Sequence, residues 1–139
     1  MASVNSTLYA QLDVNKYLSK GTDRGGRQVT IPIAHTVVSG EVSGDTVNLA
    51  VVPANARVID FDIITDGLAS SVTLIVGDAG DTDRLMASTA MAAAGNNGRL
   101  AVTGAHWIPT ADTVVYMTYG GANPTAGKIA RGFIEVLLP

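Results

Sequence analysis

Residues 28–38, QVTIPIAHTVV, alternate in character, with Val29, Ile31, Ile33 and Val37 on one side and Thr30, Pro32, Ala34 and Thr36 on the other. A period of two is the signature of a β-strand that buries one face. Pro32 has no N–H to give a ladder, so this strand belongs at a sheet edge or bends there. The same rhythm continues downstream. Residues 46–52 place Val47, Leu49 and Val51 on one face, and residues 57–65 set Ile59, Phe61 and Ile63 against Asp60 and Asp62. Residues 71–76 turn Val72, Leu74 and Val76 inward, and further strands are expected over 99–103, 113–119 and 128–138. Gly, Asn, Asp and Pro fill the intervals at 39–45, 53–56, 66–70 and 120–127, where turn geometry favours them.

One stretch departs from this pattern. Residues 84–94 are rich in Ala, Leu and Met, Asp83 stands where a helix cap would, and Gly95-Asn96-Asn97-Gly98 would stop a helix. A short helix is therefore expected there. Seven or eight short strands with such punctuation predict an all-β fold, an antiparallel β-sandwich or jelly roll, with at most one or two short helices.

Upstream of the first strand the pattern stops. Residues 1–27 read as an extended N-terminal arm joined to a single β-domain over residues 28–139. Asn5-Ser6-Thr7 would cap a short helix over 8–12, and residues 21–27 form a Gly-rich hinge. The arm is basic, since Lys16, Lys20, Arg24 and Arg27 outweigh Asp13 and Asp23. Beyond it, Arg57, Arg84, Arg99, Lys128 and Arg131 face twice as many acidic residues. Such an arm suits an acidic partner or a neighbouring copy of the body; a solvated tail is the alternative.

A chain of 139 residues with 47% hydrophobic residues has material for one core. Without cysteine it can form neither a disulfide nor a thiolate metal site. The formal net charge of −3 argues against a nucleic-acid binder. No apolar run approaches the ~20 residues of a membrane span. The first residues, MASVNS, have neither a basic start nor an apolar stretch, so no secretory signal is expected.

Few residue patterns offer chemistry. Asp78, Asp81 and Asp83 are the best candidates for an oxygen-ligated cation, but their spacing does not fit a calcium-binding loop, and a polar turn accounts for them. Asp60 and Asp62 share a strand face and read as its solvent side. His35 and His106 lie in no nucleophile motif, Gly40-Glu41-Val42-Ser43-Gly44 lacks the spacing of a nucleophile elbow, and Gly25-Gly26-Arg27 lacks the rest of a phosphate loop. Neither an enzyme nor a cofactor is expected. Trp107, Tyr116 and Tyr119 are candidate partner anchors because aromatic residues dominate interface energetics; core burial competes with that role. Together with Trp107 and Tyr119, the arm residues Lys16, Tyr17, Lys20, Arg24 and Arg27 make up the candidate partner-binding set.

Residues 50–60, AVVPANARVID, followed by residues 72–85, VTLIVGDAGDTDRL, resemble small structural proteins of tailed bacteriophages. The shared pattern is an apolar strand, a Pro-containing turn, another strand, and a Val-Gly-Asp loop. The likeness is to jelly-roll cement, or decoration, proteins of phage heads, and it covers residues 28–139. It implies a protein on the outside of an icosahedral shell of HK97-like major capsid protein. There it would bridge neighbouring capsomers, as a homodimer or homotrimer, and hold the expanded shell against internal DNA pressure. It implies location in the virion after synthesis in the host cytoplasm. The arm is longer than a bare jelly roll needs and is expected to lie across a neighbour, becoming ordered on assembly.

Two other readings remain. A head-fibre base or tail-associated β-protein would be present in tens of copies per particle instead of hundreds. A carbohydrate-binding β-sandwich would need an exposed loop aromatic, and Trp107 is the nearest to qualifying.

Overall fold

The computed structural model describes residues 27–139, which form eight strands. They are β1 (Arg27–Thr36), β2 (Thr46–Val52), β3 (Arg57–Asp66), β4 (Thr73–Gly77), β5 (Met86–Ala90), β6 (Ala94–Arg99), β7 (Thr113–Gly120) and β8 (Ile129–Leu138). Two four-stranded sheets result, sheet A in the order β1-β8-β3-β6 and sheet B in the order β2-β7-β4-β5. All strand pairs are antiparallel. Only the β4–β5 connection stays within one sheet, and every other connection crosses between the two. This interleaving is the double Greek key of a jelly roll. The candidate helix at 8–12 and the hinge at 21–26 lie outside the described residues.

The crossing connections sort the loops to two ends. At one end the β1–β2, β3–β4, β5–β6 and β7–β8 loops hydrogen-bond to each other, as in Thr125 N–H to Leu68 O (2.8 Å) and Leu68 N–H to Met91 O (2.8 Å). At the other end the β2–β3, β4–β5 and β6–β7 loops meet, as in Asn55 N–H to Pro109 O (2.7 Å) and Ala101 N–H to Leu85 O (2.7 Å). β1 starts at this second end with Arg27 opposite Leu138.

The core lies between the sheets. Val58, Phe61, Ile63, Ile134 and Val136 enter from sheet A, and Leu74, Val76, Val115, Met117 and Tyr119 from sheet B. Each large apolar side chain so buried contributes roughly 1.5–3 kcal/mol. Alternation placed most of these residues correctly, but β2 and β3 slip. In β2 a bulge between Asn48 and Ala50 turns Val51, expected on the same face as Val47 and Leu49, outward and buries Val52 in its place. A bulge between Val58 and Asp60 inserts one extra residue against β8. Val58 therefore joins Phe61 and Ile63 inside, while Ile59, expected in the core, is only half-buried.

Residues 84–94 are not helical. They contain β5, which pairs with the open side of β4 through Thr73↔Ala90, Leu74↔Thr89 and Val76↔Met86. Gly95-Asn96-Asn97-Gly98, read as a helix stop, lies within β6 and pairs with β3. The helix preference of Ala over other residues is a few tenths of a kcal/mol per position. It cannot match the ladder bonds that a β4 edge gains, nor the full burial of Met86 and Met91. Gly98 leaves room for this burial, because a Cβ there would displace the Met86 side chain. The strand expected at 99–103 ends at Arg99. The chain then turns through Gly104, whose N–H donates to Ala101 O (3.0 Å), as it crosses back to sheet B.

Candidate interaction surfaces

At the end where β1 begins, the β4–β5 loop is organised around one carboxylate. Asp78, only 4% exposed, accepts the N–H groups of Gly80 (2.9 Å) and Asp81 (2.8 Å) on Oδ1. Arg84 donates from Nε to Oδ2 (3.0 Å) and from Nη2 to Oδ1 (3.3 Å), a two-pronged pair that fixes the guanidinium plane. That plane stacks 4.7 Å from the centre of the Trp107 ring. Thr103 Oγ1 donates to Arg84 O (2.9 Å), tying the β6–β7 loop to the same arginine.

The candidate cation ligands are thus otherwise engaged. The Asp78 carboxylate is taken up by Arg84 and two backbone donors. A hydrogen bond with Asp81, together with slight burial and the Asp81 charge, raises the Asp83 carboxyl above its ordinary range. Among the described residues no group of three or more His, Cys, Asp or Glu side chains converges to hold a metal ion.

At the opposite end, Glu41 is the hub. Its carboxylate accepts from the Tyr119 hydroxyl (2.6 Å) and the Val38 N–H (2.8 Å), and His35 Nε2 lies 3.0 and 3.1 Å from its two oxygens. A carboxylate only accepts, so the imidazole proton sits on Nε2. Burial pushes the Glu41 carboxyl up, but the bonds from Tyr119, Val38 and His35 outweigh it and hold it below its ordinary value. Burial, and then the Glu41 carboxylate, push the Tyr119 hydroxyl up. No pattern in the sequence marks this cluster, because its members come from β1, the β1–β2 loop and β7.

The outer faces of the two sheets differ in charge. Sheet A carries Arg57, Asp60, Asp62, Asp66, Arg99, Arg131 and Glu135 on its strands. Asp60 and Asp62 do share this open face, as the alternation implied. Arg99 reaches both, at 3.6 and 3.9 Å, and Asn97 donates to Asp62 (3.1 Å). Glu135 accepts from Gln28 (3.0 Å) and Thr30 (3.1 Å). The four strands of sheet B contain no Asp, Glu, Lys, Arg or His.

The predicted partner-binding residues do not form one site among the described residues. Lys16, Tyr17, Lys20 and Arg24 lie outside them. Arg27 opens β1, half-buried, and Trp107 is half-buried under Arg84 at the same end of the body. Tyr119 is corrected outright as a surface anchor. It is 1% exposed, because β7 alternates Val115, Met117 and Tyr119 toward the core. Tyr116 points the other way, half-buried on the outer face of sheet B, with its hydroxyl donating to Asp78 O (3.3 Å). His106 is exposed at a positive φ of 64° in the turn before Trp107.

No protein-family model matches this chain, and no curated protein matches it. Solved structures do. A chain of the cyanophage Pam1 capsid asymmetric unit is similar at 23% identity and a TM-score of 0.66, covering 83% of this chain and 87% of that one. A chain of the capsid of Ralstonia phage GP4 is similar at 20% identity and a TM-score of 0.69, covering 83% and 86%. A chain of the acid-stable capsid of Helicobacter pylori bacteriophage KHP30 is similar at 15% identity and a TM-score of 0.62, covering 83% and 91%. The two-sheet fold is therefore one that also occurs in phage capsids.

Proposed function

We propose that this chain is a structural protein of a phage particle, one that sits on the outer surface of an icosahedral head and cements adjacent major capsid protein subunits. One observation carries the reading. Three capsid structures each contain a chain of this fold, and the match spans nearly the whole of each of those chains. A β-body of this fold is thus compatible with service in a capsid. The cementing role follows from physical fit: a rigid body attached at many symmetric positions gains avidity without any single strong site.

In this reading the body associates as a homodimer or homotrimer, and the chain works without catalysis or cofactor. Residues 1–27, through Lys16, Tyr17, Lys20, Arg24 and Arg27, reach a neighbouring subunit from the end of the body that also presents Trp107. Carbohydrate binding is the less favoured reading, because Arg84 covers the Trp107 ring that a sugar would stack upon.

The test is to mix the purified chain with mature shells of the major capsid protein from the same phage. Co-sedimentation in hundreds of copies per shell, with a higher temperature of shell disruption, is expected. Failure to bind, or binding in tens of copies, would overturn the cementing role. Deleting residues 1–27 should lower occupancy, and unchanged occupancy would remove the arm from the contact.

A further inference from the structure

We infer that the outer face of sheet A is the contact surface for a second copy of this chain, related to the first by a half-turn about a line across the strands through Phe133. The inference rests on the self-association within the proposed function and names its surface and register. β8 turns Arg131, Phe133 and Glu135 outward, alternating with the buried Ala130, Ile134 and Val136. Phe133 is flanked by Pro32 of β1 and Asp62 of β3, and Arg99 of β6 stands beyond Asp62. Pro32 is exposed, and Ile64, the next outward residue of β3 after Asp62, is 43% exposed. The middle of the face is thus apolar and aromatic with charge on either side, which is the anatomy of an interface.

The occupant follows from how those charges are placed. Along the outward positions of β8, Asp66 comes first, beside Ile129, whose N–H donates to its carboxylate (2.8 Å). Then come Arg131, Phe133, Glu135 and last Arg57, beside Leu137. The signs run minus, plus, none, minus, plus. Among the described residues, neither of these arginines has a carboxylate within ion-pair distance, and neither carboxylate has a cation. In a face-to-face two-fold contact the axis lies in the contact plane, so each position meets its mirror position across that axis. About the Phe133 row all of these charges meet their opposites: Arg131 meets Glu135 of the second copy, and Arg57 meets its Asp66. An axis running between β8 and β3 would instead set Glu135 on Asp60, because those two are side by side across the ladder. A partner of different sequence sets no condition that the signs reverse about a centre. Asp60 and Asp62 share Arg99 near the line itself (3.6 and 3.9 Å), leaving one negative charge that the apolar centre must offset.

The size of the face predicts how tight the contact is. Three ten-residue strands and one of six, at about 3.3 Å per residue and about 4.8 Å between strands, outline on the order of 600 Å². Two such faces total about 1,200 Å², the lower bound for a stable specific complex. The dimer is therefore concentration-dependent in solution, and holding copies close together on one particle favours it.

Sedimentation of the full chain over a concentration series should show a monomer–dimer equilibrium. Arg131→Glu and Glu135→Arg should each weaken it by roughly tenfold or more, because each sets like charges together. An equimolar mixture of the two variants should recover dimer, since each supplies the charge that the other lacks. Thermal melting separates folding from contact. Arg57→Glu, at an exposed position with no ion pair to lose, gives a second reading where Glu135→Arg melts early. A wild-type chain that stays monomeric at about 1 mM, variants that associate like wild type, or a mixture of two folded variants that recovers no dimer would each overturn the inference. Shell binding is read separately. Dimerisation with this charge dependence but no shell binding would support the face and overturn the cementing role alone.

Discussion

The two sheets of this sandwich share one core yet face water differently. Sheet A surrounds Asp60, Asp62 and Glu135 with Arg57, Arg99 and Arg131, while sheet B offers threonine, valine, asparagine and tyrosine. Their inner faces are alike, because closing a sandwich requires apolar residues from both sides. The outer faces are under no such requirement, and there the two sheets part.

The comparison breaks most directly at the core. Phe61→Ala in sheet A and Leu74→Ala in sheet B should each lower unfolding free energy by about 3–5 kcal/mol in chemical denaturation, because both side chains are fully buried. A loss below about 1 kcal/mol from either one would mean that the sheets do not share a core. The loop ends come next. Arg84→Ala should cost about 3 kcal/mol, since it strands the buried Asp78 carboxylate and uncovers Trp107. Arg84→Lys, which cannot supply the two-pronged pair, should recover only part of that loss.

At the opposite end, Glu41→Gln should cost about 1–3 kcal/mol at neutral pH. The Glu41 carboxyl is held below its ordinary value of 4.5, so its contribution is complete above that pH and is lost as pH falls through the lower folded value. A melting series from neutral to acid pH should therefore show wild type and Glu41→Gln converging below 4.5. A constant gap across that range would show that the carboxylate charge is not what holds the loop. The smallest effect belongs to the charged face. Arg99→Ala should change stability by less than about 0.5 kcal/mol, with little dependence on salt, because its pairs with Asp60 and Asp62 are long and the arginine is 63% exposed.

Much of the architecture was legible in the residues themselves. The alternation in 28–38, 113–119 and 128–138 set three strands close to their observed bounds, and Pro32 correctly signalled an edge, since β1 closes one side of sheet A. Other features were hidden. The β3 bulge shifts the inward residues by one, and no local pattern announces where an extra residue is absorbed. The Ala-Met run of β5 has helical propensity that only the unpaired side of β4 overrides. The charge partition was hidden for a different reason. Charged and uncharged strands interleave along the chain, so the segregation emerges only once each strand is assigned to its sheet. The Glu41 cluster likewise needs residues separated by many positions to meet at one loop end.

The pairing of Arg27 with Leu138 sets both boundaries of the β-body at one corner, a single strand spacing apart. A fluorophore attached at Pro139 would sit beside the entry point of the segment that precedes Arg27. Energy transfer from that dye to a label placed within residues 1–26 would work as a molecular ruler for the route the segment takes.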